Sequence, residues 1–197
     1  MNKDKKESIL KESQLNNVAN MRKSNLDFLI NFLENNNYLN TILEIGTGCG
    51  YSSYCLSEIT SVKKITTIEK NIKRYEIAKK LLKNESKINI LNKDANVFFN
   101  STNINKYDVI ILDGPKNKLI WYIERSFNFL NKNGICVVDN LFLKDIRKKQ
   151  NEKFQKRYEK LIIKNNELQN YINLLDKKRY NIFVDESGDG LVIIQLL

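Results

Sequence analysis

Short apolar runs alternate with helical patterns along the first two thirds of the chain. The apolar runs are TILEI, KITTIE, INIL, YDVIIL and GICVVD, at residues 41–45, 64–69, 88–91, 107–112 and 134–139. Around them apolar residues recur at helical spacing, as in LDFLINFLE, which Ser24 is placed to cap. Five strand-like runs separated by helices predict βαβ units and a parallel, doubly wound sheet.

The pattern changes after Asn140 to a long basic stretch with one apolar helical face. That face comprises Phe154, Tyr158, Leu161, Ile162, Leu168, Tyr171, Ile172 and Leu175. The chain then closes with YNIFV, the turn-forming SGDG and LVIIQLL, which predict an antiparallel hairpin at the sheet edge. The expected fold is therefore α/β and Rossmann-like, with a mostly parallel seven-stranded sheet in a single domain spanning residues 1–197.

Every predicted parallel strand ends near a carboxylate. The residues are Glu44, Glu69, Asp94, Asp113 and Asp139, the last followed by Asn140. Ligands of open parallel sheets bind outside the carboxyl ends of the strands. The sequence therefore predicts one polar site along this edge, although Asp113 could instead start a turn and Asp139 with Asn140 could cap a helix.

Composition limits the chemistry available to that site. The chain has no histidine, so proton transfer falls to Lys, Tyr, Asp or Glu and any metal to oxygen ligands. Its three cysteines lack CxxC spacing and are expected to be buried thiols. No apolar stretch has the length of a membrane span, and the polar start does not resemble a signal peptide, so we expect a cytoplasmic protein. The net charge of +10 favours an anionic partner such as nucleic acid.

The glycines of ILEIGTGCGY, at residues 42–51, predict a nucleoside-containing cofactor. Gly46, Gly48 and Gly50 follow a strand and precede a helix whose N-terminus, beside Ser52, can face an anionic group. Glu69, at the end of the next strand, can accept hydrogen bonds from both ribose hydroxyls. The GxGxG spacing, with Tyr at residue 51, departs from the GxGxxG of dinucleotide-binding folds, so NAD is the weaker alternative.

Glu44, two residues before Gly46, gives this stretch a resemblance to motif I of the class I S-adenosylmethionine-dependent methyltransferases. Two further segments make the resemblance more specific. These segments, YDVIILDGPK and GICVVDN, resemble the metal-dependent catechol O-methyltransferase-like group. The resemblance implies N-terminal helices over residues 1–40, a cofactor and metal site over 41–140, and a basic helix with closing hairpin over 141–197. It also implies a homodimer.

The same resemblance implies a role for each matching residue. Asp113, Asp139 and Asn140 would hold Mg²⁺ or another divalent cation, and Lys116 would remove the proton from the substrate hydroxyl; the alternative for Lys116 is an ordinary surface lysine. The cofactor S-adenosylmethionine would then be bound by a set comprising Met21, Glu44, Gly46, Gly48, Ser52, Glu69, Asp94, Ala95 and Asp113. Within that set Ser52 would hold the methionyl carboxylate, Glu69 the ribose, Asp94 with Ala95 the adenine, and Met21 would close over the cofactor.

The C-terminal third resembles the bacterial tRNA 5-hydroxyuridine methyltransferases, through the basic run, LQNYINLL and ESGDGLVII. Asp185, Glu186 and Ser187 stand where that group has a proline-containing phrase. The resemblance implies a tRNA partner bound through basic residues 144–160, where side chains could contact phosphates. These candidates are Lys144, Arg147, Lys148, Lys149, Lys153, Lys156 and Arg157.

Two other functions stay open. A small-molecule O-methyltransferase acting on catechol-like phenols would use the same site, and the basic run would then be a solvated helix face. A non-catalytic nucleotide or RNA-binding module would keep the fold but leave the acidic residues and Lys116 without a purpose.

Overall fold

A computed structural model describes residues 3–101, 105–114, 118–142 and 152–197, with only the backbone for residues 3 and 152–158. Its centre is a seven-stranded sheet in the order β3-β2-β1-β4-β5-β7-β6. The strands are β1 Thr41–Ile45, β2 Lys64–Glu69, β3 Ile88–Asn92, β4 Tyr107–Leu112, β5 Leu130–Asp139, β6 Tyr180–Asp185 and β7 Leu191–Leu196. Strands β1 to β5 pair in parallel, whereas β7 pairs antiparallel with both β5 and β6. The predicted doubly wound sheet with a C-terminal hairpin is confirmed.

Helices cover both faces of this sheet. They are α1 Lys3–Leu15, α2 Lys23–Glu34, α3 Tyr51–Ser57, α4 Ile72–Leu81, α5 Ala95–Phe99, α6 Leu119–Ser126 and α7 Glu152–Asn173. Two buried apolar clusters result, one on each side, because the side chains of β1, β4 and β5 alternate between them. The three cysteines are buried and free, as the sequence predicts.

The start of α2 differs from the sequence-based prediction. The residue before the helix is Arg22, in an extended conformation and without a side-chain cap, so Ser24 lies inside the first turn and does not cap it. The helix forms instead because its buried stripe of Leu26, Leu29 and Leu33 packs on the core. Tertiary packing replaces the missing cap.

No helix of the described ranges is both long enough and apolar enough to cross a membrane.

Strand register brings the site residues to one edge. Ile45 pairs with Leu112, and Leu112 pairs with Val138. The next residues along β4 and β5, Asp113 and Asp139, therefore lie side by side, at the roughly 4.8 Å spacing of neighbouring strands. On the other side of β1, Glu69 pairs with Asn92 at the ends of β2 and β3. The carboxyl ends of β1 to β5 thus form one polar rim.

Candidate functional site

The loop between β1 and α3 is a backbone cradle at the centre of the rim. Gly46, Gly48 and Gly50 all have positive φ angles, of 107°, 57° and 92°. Positive φ angles favour glycine at all three positions. At Gly46 close packing also requires glycine, because an added Cβ would lie 2.3 Å from the carbonyl oxygen of Asp113. The glycines therefore let the chain turn tightly between β1 and α3, and they let a ligand approach the backbone amides of the loop closely.

Glu44 lies beneath this loop, with 1% of its surface exposed. Its carboxylate accepts hydrogen bonds from the hydroxyls of Ser52, Ser53 and Thr67, the last at 2.6 Å. Burial raises the pKa of Glu44 above its ordinary value, against the opposing effect of these hydroxyls. The hydrogen bonds of Glu44 thus connect β1 with β2 and with the start of α3. Through one of them Glu44 orients Ser52, which lines the cavity described below.

The raised pKa of Glu44 predicts a pH dependence of stability. The folded protein holds this proton more tightly than the unfolded chain, whose glutamate has the ordinary pKa of 4.5. The free energy of unfolding should fall as the pH rises from 4.5 through the higher folded-state pKa. Urea unfolding across this range should show the decrease in the wild type and not in Glu44→Gln. The exposed Glu34→Gln should keep it, and equal profiles for all three proteins would contradict the assignment.

Glu69 faces the glycine loop from the end of β2. Its carboxylate accepts hydrogen bonds from the backbone amides of Gly48 at 3.0 Å and Asn71 at 2.8 Å, one on each oxygen. A carboxylate oxygen can accept more than one hydrogen bond, so both oxygens keep acceptor capacity toward the cavity. This geometry suits recognition of two neighbouring hydroxyls.

Asp94 stands before α5 and caps it, accepting a 2.7 Å hydrogen bond from the amide of Asn96. Lys70 lies 2.6 Å from the other carboxylate oxygen. The Lys70 ammonium, together with the Asn96 amide, lowers the pKa of Asp94 to about 2. The group is therefore an ionised acceptor at the rim throughout the neutral range.

A cavity of about 640 Å³ opens between these elements and the segment that joins α1 to α2. The lining includes the cofactor residues expected from the sequence, with the exception of Glu44: Met21, Gly46, Gly48, Ser52, Glu69, Asp94, Ala95 and Asp113. Val18 covers the loop, since a Cβ on Gly48 would lie 2.9 Å from its Cγ1. Met21 is 4% exposed and lies in the wall, where the sequence analysis expects a residue that closes over the ligand.

The three expected metal ligands lie at the carboxyl ends of β4 and β5. Asp113 lines the cavity, and Asp139 is 3% exposed beside it. Asp139 accepts hydrogen bonds from the side-chain amides of Asn25 at 2.7 Å and Asn140 at 2.8 Å. Asn140 has a φ of 60°, a left-handed conformation that asparagine adopts more readily than most residues and that is enriched at functional sites.

These residues fit a hard divalent cation by their chemistry, since two carboxylates and an amide are all oxygen donors. In the described part of the chain, no group of three or more His, Cys, Asp and Glu side chains could hold a metal. The candidate set therefore depends on Asn140 as its third member. Its role as a metal site stays a prediction.

Several expected residues cannot be placed. Lys116 lies outside the described residues, as do Lys144 and Arg147 to Lys149, and the side chains of Lys153, Lys156 and Arg157 are not described. Conversely, the cavity lining includes residues that no sequence motif indicates, among them Asn20, Lys118 and Tyr122. Asn20 belongs to a loop without a motif, whereas Tyr122 could have been found from its place on the inward face of α6.

Solved structures of similar proteins share the whole architecture. A Staphylococcus aureus protein provisionally assigned as a caffeoyl-CoA O-methyltransferase is 25% identical, with a TM-score of 0.79 over 98% of this chain and 92% of that one. An O-methyltransferase from Bacillus cereus, in complex with S-adenosylhomocysteine, is 16% identical, with a TM-score of 0.79 over 100% and 92%. The Streptomyces achromogenes O-methyltransferase of tomaymycin synthesis, in complex with S-adenosylmethionine, is 13% identical, with a TM-score of 0.77 over 100% and 91%.

The family comparison covers almost the full length. Residues 3–196 match the family model described as O-methyltransferase. This match includes the glycine loop, the carboxylates at the ends of β1 to β5 and the closing hairpin. The chain therefore belongs to the O-methyltransferase family.

Proposed function

We propose that this protein uses S-adenosylmethionine and a divalent cation to methylate the 5-hydroxyl of 5-hydroxyuridine in the tRNA anticodon loop. The observation that supports the metal-dependent transfer is that Asp113, which lines the cavity, and Asp139 follow the paired residues Leu112 and Val138 of β4 and β5. The charge of the chain and the basic residues 144–160 support the RNA substrate.

The cofactor assignment follows from the cavity wall. Glu69 keeps acceptor capacity and would bind the ribose hydroxyls. Asp94 and Ala95 follow β3, at the opposite end of the rim from Asp139, and would contact the adenine. The amide-rich turn at Gly46 and Gly48 would receive the methionyl end. S-adenosylmethionine bound in this way would leave the Asp113 end of the cavity for the substrate.

The chain's own residues would prepare the acceptor oxygen. Asp113, Asp139 and Asn140 would hold the cation, which when bound supplies positive charge that lowers the pKa of a neighbouring substrate hydroxyl. In 5-hydroxyuridine the 5-hydroxyl neighbours the 4-carbonyl oxygen, so the base presents two adjacent oxygens, as a catechol does. Lys116 would take the hydroxyl proton, after which the oxygen attacks the sulfonium methyl and S-adenosylhomocysteine leaves.

An anticodon loop is a physically suitable substrate because its bases are unstacked. Proteins read such bases by stacking and edge contacts, while basic side chains hold the phosphates. Four cations also line the described cavity mouth, namely Lys70, Arg74, Lys93 and Lys118. They add positive charge around the opening of the cavity.

The test is a methylation assay with isotope-labelled S-adenosylmethionine, Mg²⁺ and tRNA from cells that lack the gene. After digestion, we expect the label in 5-methoxyuridine, and we expect EDTA to abolish it. Label that persists in EDTA would reject the cation, and label in a different nucleoside would reject the 5-hydroxyuridine assignment. RNA methylation should also weaken steeply as salt rises, because phosphate contacts release counterions.

A small-molecule phenol is the second candidate substrate. The specific observation in its favour is the similarity to the Staphylococcus aureus protein, which is provisionally assigned to caffeoyl-CoA. If a catechol is methylated while tRNA stays unlabelled, this candidate replaces the RNA substrate. If neither is methylated and RNA still binds, the protein is a binding module.

A further inference from the structure

The amide of Asn25 links the first turn of α2 to the candidate metal edge. Asn25 has 0% of its surface exposed, and its Nδ2 donates a 2.7 Å hydrogen bond to Oδ1 of Asp139, 114 residues away in sequence. A polar side chain this deeply buried must be hydrogen-bonded to be tolerated. Sequence patterns predict only a helix here, so this contact is a product of the tertiary fold.

Hydrogen-bond partners on both ends define the orientation of the Asn25 amide. Its Nδ2 also lies 3.4 Å from the carbonyl oxygen of Gly190, and its Oδ1 accepts from the hydroxyl of Ser24 at 3.4 Å. A carboxylate and a carbonyl can only accept, so the NH₂ group must face Asp139 and Gly190. The reversed amide would place oxygen against oxygen at both of these positions.

The turn between β6 and β7 packs against this amide. An added Cβ on Gly188 would lie 2.8 Å from Oδ1 of Asn25 and 2.7 Å from Oγ of Ser24. Arg22, one turn before Asn25, forms a 2.6 Å ion pair with Asp189 in the same turn. The start of α2 and the turn between β6 and β7 are therefore closely packed around Asn25.

Two amides thus hold the two carboxylate oxygens of Asp139, since Asn140 donates to Oδ2 while Asn25 donates to Oδ1. Hydrogen bonds to both oxygens restrict the rotation of the carboxylate. Asn140 is itself a candidate ligand through its Oδ1, whereas Asn25 belongs to α2 and contacts Asp139 as a hydrogen-bond donor.

We propose that Asn25 is a positioning residue that holds the Asp139 carboxylate in the orientation required for divalent-cation binding. This inference rests on the proposed function, because it takes Asp139 as a metal ligand. Partners that orient ligating carboxylates typically contribute about 10- to 100-fold to metal affinity. Asn25 does not line the cavity among its described residues, so it should not contribute directly to cofactor binding.

The test measures metal binding without catalysis. The full-length protein is freed of metal with EDTA and dialysed, and Mn²⁺ binding is followed by electron paramagnetic resonance and calorimetry. Asn25→Leu keeps the number of side-chain heavy atoms and the branch at Cγ but cannot donate to Asp139. We expect its dissociation constant for Mn²⁺ to rise about 10-fold or more, with S-adenosylhomocysteine binding unchanged within about 2-fold.

Asp189→Asn is the matched control, because it weakens the ion pair to Arg22 in the same junction without touching Asp139. It should keep wild-type Mn²⁺ affinity. Unchanged Mn²⁺ affinity in Asn25→Leu would overturn the proposal, and so would an equal loss in both variants, which would make the role of Asn25 purely structural. If Asn25→Leu does not fold, Asn25→Ala is judged by the same outcomes. A wild-type protein that binds no Mn²⁺ would instead reject the metal in the proposed function.

Discussion

The substitution Asp139→Asn is expected to lower the rate of methyl transfer by about 10³-fold or more. Asp139 is buried beside Asp113, and loss of its charge removes one of two carboxylates from the candidate metal edge. A bound cation contributes several kcal/mol to a transition state, and each 1.36 kcal/mol corresponds to a factor of ten in rate. Labelled-methyl transfer to tRNA, measured at saturating cofactor, tests this prediction.

Cofactor binding separates this effect from a general loss of structure. Asp139 is not among the described residues that line the cavity, so S-adenosylhomocysteine affinity should stay within about 3-fold of the wild type. The control is Asp27→Asn, an exposed aspartate whose ion pair with Lys23 contributes little to stability. A fully active Asp139→Asn protein would show that the reaction does not depend on this carboxylate.

The substitution Gly46→Ala is expected to damage both folding and cofactor binding. The φ of 107° is strained for any L side chain, and the new Cβ would meet the Asp113 carbonyl oxygen at 2.3 Å. That oxygen belongs to backbone at the end of the neighbouring strand, so it cannot move aside as a flexible side chain could. The free energy of unfolding should fall by about 2–4 kcal/mol, and S-adenosylhomocysteine affinity by about 100-fold. Urea unfolding and calorimetry measure the two effects.

Gly114→Ala provides the matched stability control, because Gly114 directly follows Asp113, whose carbonyl oxygen contacts Gly46. Among the described residues that are not its chain neighbours, the nearest atom to an added Cβ is Cε2 of Tyr122 at 3.7 Å, an ordinary van der Waals distance. Its unfolding free energy should stay within about 0.5 kcal/mol of the wild type. If Gly46→Ala is as stable as Gly114→Ala, β1 and β4 separate more easily than the packing indicates.

The elements of the sheet were predictable because local patterns and tertiary packing agree along this chain. Strands β1, β2 and β4 have the predicted bounds, since each is a short apolar run closed by a polar residue or glycine. Strand β5 is longer than predicted, because it begins at Leu130, which pairs with Tyr107 of β4, although Leu130 to Asn133 carry no strand pattern. Local propensity was least informative at the start of α2, where packing replaces the Ser24 cap.

The sequence was sufficient to predict which residues lie on the polar rim at the carboxyl ends of β1 to β5. A parallel sheet brings the carboxyl ends of its strands together, so Glu69 and Asp113 could be assigned to one rim from sequence alone. Glu44 shows the limit of such reasoning. It is at the right strand end, yet it points beneath the loop because three hydroxyls from α3 and β2 surround its carboxylate.

The sequence by itself determined the doubly wound fold, the glycine loop and the O-methyltransferase family, because each depends on residues close together in the chain or on strand order. Only the tertiary structure decided which side chains meet across long separations. Asn25 reaches Asp139 and Arg22 reaches Asp189 because α2 packs against the closing hairpin. Such contacts leave no periodicity or motif, since their energy arises from two surfaces that approach each other only once the whole sheet has formed.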